Sequence, residues 1–261
     1  MSNPKEIKTN VKTKIVNYSL IIGVPIGLMI LWEILSRIGI INASILPAPS
    51  TIAKTFNNLI ANGKLESNFI ASMDRVVKGF IIGTVLGIVI GSLMGVFEKV
   101  NKSLSVIVGI LRPIPMIGWV PLLILWMGID EGSKITVIAL GTFWSVLINT
   151  IDGIRNVDRK YIEVAYILEK NKFTTLIKVV IPSALPSILT GIRLGFGNAW
   201  KAVVAAEMIA ATSGIGYLIS YARELSQPDV MLVGLLTIGL MGLLIDFVII
   251  KIQNRVLSWN D

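Results

Sequence analysis

The sequence contains no cysteine and no histidine. The first absence excludes disulfide frameworks and thiol chemistry. Together they remove the usual zinc ligands and make a Ser-His-Asp triad impossible. Charge is also scarce. Asp, Glu, Lys and Arg make up 15% of the residues, against roughly 25% in ordinary soluble domains. Apolar residues fill that space, at 54% of the chain. A soluble fold of this length could not hide so much apolar surface, so lipid is the expected solvent. The net charge of +8 does not form a continuous basic face for nucleic acid. The Lys and Arg sit between long apolar runs, as membrane topology requires.

The chain opens with a polar tail, residues 1–17, that carries Lys5, Lys8, Lys12 and Lys14. An apolar run follows from Tyr18 to Leu31 and extends to about Ile41, past Trp32, Glu33 and Arg37. A basic start before an apolar run also fits a signal peptide. The length of the run, the charges where a cleavage region should lie and the later runs weigh against that. Further runs cover Val76–Phe97, Leu104–Met127, Lys134–Ile154, Ile188–Met208 and Val230–Ile250. A bilayer core needs about 20 helical residues, so the expected fold is all-α, a polytopic bundle of about six spans. Residues 18–261 then form one membrane domain.

The positive-inside rule orients the spans. The basic tail, Lys99 and Lys102, the stretch containing Arg155, Arg159, Lys160, Lys170, Lys172 and Lys178, and Lys251 with Arg255 fall on one side. The opposite turn Gly128–Ser133 has Asp130 and Glu131 but no basic residue, and Thr212–Asp229 has only Arg223. Both termini are therefore expected in the cytoplasm of a multi-pass protein. Arg75 and Lys78, at the outer end of the second span, are mild exceptions.

Between the first two spans lies Leu46-Pro-Ala-Pro-Ser50, whose prolines end one helix and hold an extended turn. Ser50 or Thr51 is placed to cap a short helix. Its apolar positions Ile52, Phe56, Leu59 and Ile60 suit either the outer membrane interface or packing on the bundle.

Three features of the spans bear on mechanism. Gly79, Gly83, Gly87, Gly91 and Gly95 recur every four residues, so they form one stripe on which a neighbouring backbone packs closely. That seam is either static or able to shift during a working cycle. In the third span, Arg112-Pro113-Ile114-Pro115 and then Pro121 predict a bent or broken helix. Irregular backbone at membrane depth survives where it is buried in protein or lines a cavity. In the fifth span, Asn198 and Lys201 share one face and Glu207 lies on another. Being six residues apart, Lys201 and Glu207 point about 240° apart and should not pair directly. A charge at this depth must face protein or water, so Lys201 lines a pathway, meets an acid on another helix or snorkels.

The segment 155–186 is too amphipathic for a slack linker. Tyr161, Ala165 and Leu168 lie on one helical face; Phe173, Leu176, Ile177 and Val180 form a second stripe. Two short helices are expected, with the turn near Asn171, a residue that tolerates the left-handed conformation. The small first face, rimmed by charge, has the character of a docking surface.

This segment resembles the EAA loop of ABC importer permeases: Glu-x-Ala, a gap, a glycine, a longer gap and a proline. Glu163, Ala165 and Pro182 match, whereas Glu169 stands where the family has glycine. Leu46-Pro-Ala-Pro-Ser50, Arg112-Pro-Ile-Pro115, Trp119-Val-Pro121, Asn149-Thr150, Ala206-Glu207-Met208 and Ser213-Gly-Ile-Gly-Tyr217 resemble the nitrate/sulfonate/taurine-type group. The resemblance implies a type I importer permease in the cytoplasmic membrane. It implies a homodimer, two copies of a separate ATPase subunit and an external solute-binding protein. It makes 155–186 the coupling loop, with Tyr161, Glu163, Ala165, Leu168, Glu169, Asn171 and Pro182 as contact or turn residues. Arg112, Pro113, Pro115, Pro121, Asn149, Asn198, Lys201 and Glu207 become candidates for the pathway wall.

No G-x-x-x-x-G-K-[ST] phosphate loop occurs, so energy must come from a partner. No cofactor, metal or catalytic residue is expected, and the resemblance implies a small solute, an anion such as a sulfonate, taurine or nitrate, or a vitamin precursor. The competing reading is an ion-coupled secondary transporter, for which Lys201 and Glu207 would form a relay. A membrane enzyme would need a cluster of acid, base or metal ligands that the sequence does not contain.

Overall fold

The computed structural model of the protein describes residues 23–257. The tail 1–17 and the start of the first expected span at Tyr18 lie outside them. All regular structure among the described residues is helical. Helix α1 covers residues 23–37. It is followed by α2 (Pro49–Ala61), α3 (Lys64–Val96), α4 (Glu98–Leu111), α5 (Met116–Met127) and α6 (Glu131–Arg155). The second half holds α7 (Arg159–Ile167), α8 (Lys172–Thr175), a π turn (Leu176–Val180), α9 (Ile181–Ala210), α10 (Ile215–Glu224) and α11 (Pro228–Val256).

Four stretches are long and apolar enough to cross a bilayer: Lys64–Val96, Glu131–Arg155, Lys172–Ala210 and Pro228–Val256. Helices α4 and α5 pass the same test together but meet at a bend of 99°. The break falls at Arg112–Pro115, where Pro113 and Pro115 supply no N–H and the helical ladder cannot continue. Pro121 does not add a second break; α5 runs through it.

The core is a three-helix sandwich with α6 at its centre. The glycine stripe of α3 lies against α6. A Cβ on Gly79 would stand 2.6 Å from Ile138, on Gly87 2.8 Å from Val146, on Gly91 2.8 Å from Thr150 and on Gly95 2.9 Å from Ile154. At Gly83 it would meet the carbonyl of Ala139. The other side of α6 repeats the device against α9, where a Cβ on Gly191 would stand 2.6 Å from Asn149 and one on Gly153 2.8 Å from Ser187. Close backbone approach on both sides explains why Val146, Leu147 and Thr150 are fully buried. The opposite face of α3 leaves Ile81, Val85, Leu86 and Val89 exposed, as a lipid-facing surface requires.

Two local expectations are corrected. Helix α2 starts at Pro49 with Ala48 in the N-cap position. Neither Ser50 nor Thr51 caps it, because Ser50 donates from Oγ (2.8 Å) and N–H (3.0 Å) to the Glu33 carboxylate instead. Ile52 and Leu59 are buried among Ile215, Leu218, Ile219 and Val233, so α2 packs on its own bundle. Second, of the two short helices expected before the fifth span, only α7 stands alone; the other is not separate from the span. The single turn α8 runs through the π turn into α9, which starts at Ile181 rather than near Ile188. Pro182 sits in the first turn of α9, where its missing N–H costs little.

Candidate translocation pathway and coupling surface

The break between α4 and α5 opens onto α6 and α9. A cavity of about 630 Å³ there is lined by Arg112, Pro113 and Pro115 from the break, Ser145 and Asn149 from α6, and Asn198 and Lys201 from α9. Six of the pathway candidates thus share one space. The two amides converge on one residue: Asn149 Nδ2 donates to the Ser145 carbonyl (2.8 Å) and Asn198 Nδ2 donates to Ser145 Oγ (2.7 Å). Lys201 lies about 14 Å along α9 from its end at Ala210, well inside the span.

Pro121 and Glu207 are not part of this wall. Glu207 is 1% exposed and belongs to a different structure. Its carboxylate accepts from Arg75 Nη1 (2.7 Å), Ser72 Oγ (2.8 Å) and the Gly216 N–H (2.9 Å). Arg75, 4% exposed, also donates to Glu131 from Nε (2.6 Å) and Nη2 (2.9 Å). Its remaining hydrogens go to the carbonyl (2.7 Å) and hydroxyl (2.8 Å) of Ser213. Arginine has five N–H donors, and here all five are used. Lys134 reaches the same Glu131 carboxylate at 3.0 Å. The cluster ties α3, α6 and α9 to the loop before α10. Gly214 holds φ +113° in that loop, and a side chain there would strike Glu207.

The sequence reading missed Arg75, which it took for an exception to the charge rule. A signal was present. Asn68, Ser72 and Arg75 continue the stripe of Gly79 and Gly83 at spacings of three and four, so they extend a buried face. Asn68 Oδ1 accepts the Gly214 N–H (2.8 Å) and Ser72 Oγ the Ile215 N–H (2.8 Å).

In the cytoplasmic-loop candidate, Asp158 caps α7 by accepting the Lys160 N–H at 2.9 Å. The helix ends in a Schellman motif: Lys170 N–H bonds to the Ala165 carbonyl (3.0 Å) and Glu169 N–H to the Tyr166 carbonyl (2.9 Å). That motif puts Glu169 in the left-handed region, at φ +51°. The left-handed residue of the turn is therefore Glu169, not Asn171. Asn171 is extended and caps α8, accepting the Thr174 N–H at 2.7 Å. A groove of about 810 Å³ runs between α7 and the start of α9, lined by Tyr161, Val164, Ala165, Leu168, Lys178 and Pro182. Ala165, expected to enter a partner's groove, is turned into its own segment and 4% exposed. Leu168 is 60% exposed, and Tyr161, Tyr166, Ile167 and Phe173 are also open. Glu163 is exposed. Of the second stripe, Val180 packs against Ile154, Ala184 and Ile188.

Residues 83–258 match the family described as binding-protein-dependent transport system inner membrane component. The chain belongs to that family. It is 40% identical to a putative aliphatic sulfonates transport permease protein of Bacillus subtilis, covering 91% of this chain and 86% of the relative. Identity to the taurine transport system permease protein of Escherichia coli is 31%, over 93% of this chain and 90% of the relative. Among solved structures, an inward-facing MetNI methionine ABC transporter chain superposes with a TM-score of 0.65 at 19% identity, covering 76% of this chain and 96% of that one. That likeness shows the fold.

The permease is thus a membrane-spanning subunit of an ATP-driven importer and a multi-pass protein of the cytoplasmic membrane. Importers of this kind work with an ATPase subunit and a solute-binding protein. This favours ATP over an ion gradient as the energy source. In the permease, the relay imagined between Lys201 and Glu207 has no physical basis: one lines the cavity and the other is locked to Arg75.

Proposed function

We propose that two copies of this chain form the membrane part of an importer for a small anion. Each copy contributes about six spans, with both termini in the cytoplasm. Residues 18–261 form the permease domain, and the tail 1–17 precedes it. Solute passes along the cavity bounded by Arg112, Asn149, Asn198 and Lys201. The chain catalyses nothing; two copies of an ATPase hydrolyse ATP, and an external binding protein delivers the solute. The named solutes of relatives, sulfonates, taurine and bicarbonate, are small and carry an anionic group. The observation that carries the reading is the convergence on one cavity at a broken helix of residues from three elements, nominated by motif at Arg112–Pro115 and Asn149 and by mid-span polarity at Asn198 and Lys201.

The coupling contact is the exposed surface of α7 and the turn after it, with Tyr161, Leu168 and Glu163 toward the ATPase. Ala165 and Pro182 shape that surface from beneath, and the Glu169–Asn171 turn sets its angle.

Proteoliposomes containing the permease, its ATPase and its binding protein test the assignment. Uptake is expected only with ATP on the ATPase side. Uptake driven by an ion gradient without ATP overturns it. Native mass spectrometry should give two permease copies per complex. Cysteines placed at Ser2 and Asp130 in this cysteine-free chain should be labelled by an impermeant external reagent at Asp130 alone.

A further inference from the structure

We infer that the pocket between α7 and the cytoplasmic ends of α3 and α6 is a binding site for an anionic phospholipid of the inner leaflet. The leaflet rests on the orientation proposed above; the site itself does not.

Three membrane-crossing stretches meet at this level. Val96 is the last residue of α3, Ile154 lies one residue before the end of α6, and Leu176 and Val180 bound the π turn that leads into α9. These four residues line a cavity of about 420 Å³. Ile154 is buried, and Val180 packs in the same cluster. Val96 is exposed and ends a stripe that runs along α3 through Val85, Val89 and Leu93, all exposed and on one helical face. That stripe is lipid-facing, so an acyl chain lying along it reaches the cavity without leaving apolar surface.

The rest of the wall has the opposite character. Lys170 and Lys172 line the cavity, and its described wall includes no Asp or Glu. An adjoining pocket shares Val96 and adds Arg155, which spends one N–H on the Met94 carbonyl (3.0 Å). The acid of that second wall, Glu98, is paired with Lys102 at 2.7 Å. Basic residues without a salt bridge are common in this part of the chain, and Arg159, Lys160 and Lys178 are others. Lys170 and Lys172 differ in sharing a cavity with apolar side chains at the level where the spans end. That combination fits a phospholipid whose phosphate meets the ammonium groups and whose chains cover the apolar part. Tyr166, 83% exposed, also lines the cavity, with an amphipathic ring of the kind that sits at headgroup level. A soluble phosphate would leave the apolar part bare, and a zwitterionic headgroup would bring a second cation toward the lysines. The ATPase is the other macromolecule expected near α7. Lipid is favoured, because the apolar part belongs to the spans and continues their lipid-facing stripe.

The test is native mass spectrometry of the permease–ATPase complex released from micelles, after titration with phosphatidylglycerol or phosphatidylcholine carrying the same acyl chains. Each lysine near a membrane surface is worth about fivefold toward an anionic lipid. One saturable site per permease copy should therefore prefer phosphatidylglycerol by about 25-fold. Lys172→Gln should reduce the preference to about fivefold, and Lys170→Gln with Lys172→Gln should bring it near parity. The same two positions changed to arginine should keep it. Lys172 lines this pocket but not the groove between α7 and α9, so its exchange tests the site even where the double variant releases the ATPase. Val96→Asn should weaken both lipids alike. Glycerol phosphate, which has the charge and no chains, should not displace the lipid. Equal retention of the two lipids by the wild-type complex, an unchanged preference in the lysine variants, or displacement by glycerol phosphate overturns the inference. A preference that appears only once the ATPase is removed gives the pocket to the ATPase and overturns it too. The two readings fail separately. Micelles have no leaflets, so external labelling of Ser2→Cys would reverse the topology and move the site to the outer leaflet while the lipid preference stood. A missing preference with the expected labelling removes the site and leaves the topology intact.

Discussion

Beside the start of α6, Arg75 of α3 is buried with all five donors occupied, and Glu207, the acid it holds on α9, receives three bonds from two elements, α3 and α10. Farther along α9, Lys201 faces an open cavity and pairs with no acid among the described residues. The same contrast recurs toward the other end of the bundle. There α7 leaves Leu168, Tyr166 and Ile167 open, and a glutamate occupies a backbone region suited to glycine. Completed interactions hold the helices in place. Under the proposed function, the incomplete ones mark surfaces whose partner is another molecule. An ionisable residue at membrane depth is therefore read first by its neighbours, and its sequence position alone misleads: Glu207 was a plausible pathway residue until its three donors were in view.

The strongest way to break this contrast is to uncouple the completed junction. Glu207→Ala leaves Arg75 buried with one acid fewer, and removing one partner of a buried pair costs about 3–5 kcal/mol. The variant should lose most of its yield of folded protein, read as recovery and thermal midpoint in detergent. The double change Arg75→Leu with Glu207→Leu should recover part of the loss, because no lone charge remains. Native-like stability of Glu207→Ala would mean that the junction does not hold the core, and the contrast with Lys201 would fall.

A smaller effect is expected at the glycines. Gly87 faces Val146 with no room for a Cβ, while Gly197 on α9 has nothing within 4 Å of the Cβ position. Gly87→Ala should cost about 1–3 kcal/mol by forcing α3 from α6. Gly197→Ala should be neutral or gain up to about 1 kcal/mol from helix propensity. Equal melting temperatures for the two variants would show that the seam is loose enough to absorb a methyl group.

Much of this was legible in the sequence, for identifiable reasons. The glycine stripe was readable because a spacing of four on a helix is a local geometric fact. The break at Arg112–Pro115 was readable because proline lacks an N–H wherever it stands. The cavity residues could be nominated singly, Arg112 and Asn149 by motif and Lys201 as a charge in mid-span, yet only folding brings them to one wall. The Arg75 junction was illegible as a junction, since its acids lie 56 and 132 residues away along the chain. The inward turn of Ala165 was missed for a similar reason. A helical wheel gives the face on which a side chain lies, but not which neighbour covers that face.

The smallest expected effect concerns Glu169. The sequence placed the turn's left-handed residue at Asn171, on the reasoning that asparagine tolerates that region better than glutamate. The Schellman geometry overrides propensity. Once α7 ends at Ile167, the bonds from Glu169 and Lys170 back to Tyr166 and Ala165 require position 169 to be left-handed, whatever its side chain. Asn171 is needed elsewhere, as the cap of α8. A non-glycine residue in that region costs about 1–2 kcal/mol, while glycine gives back about 0.5–1 kcal/mol through the freedom it adds to the open chain. Glu169→Gly should therefore tighten the turn by roughly 0.5–1 kcal/mol, the difference of those two terms. That corresponds to about two- to fivefold slower hydrogen exchange at the Glu169 and Lys170 amides. Glu169→Val, with a β-branched side chain in the same region, should speed exchange instead. If glycine and valine exchange at the native rate, the turn is held by contacts outside the motif. The incomplete end of the molecule would then be more fully determined from within than the contrast with Arg75 allows.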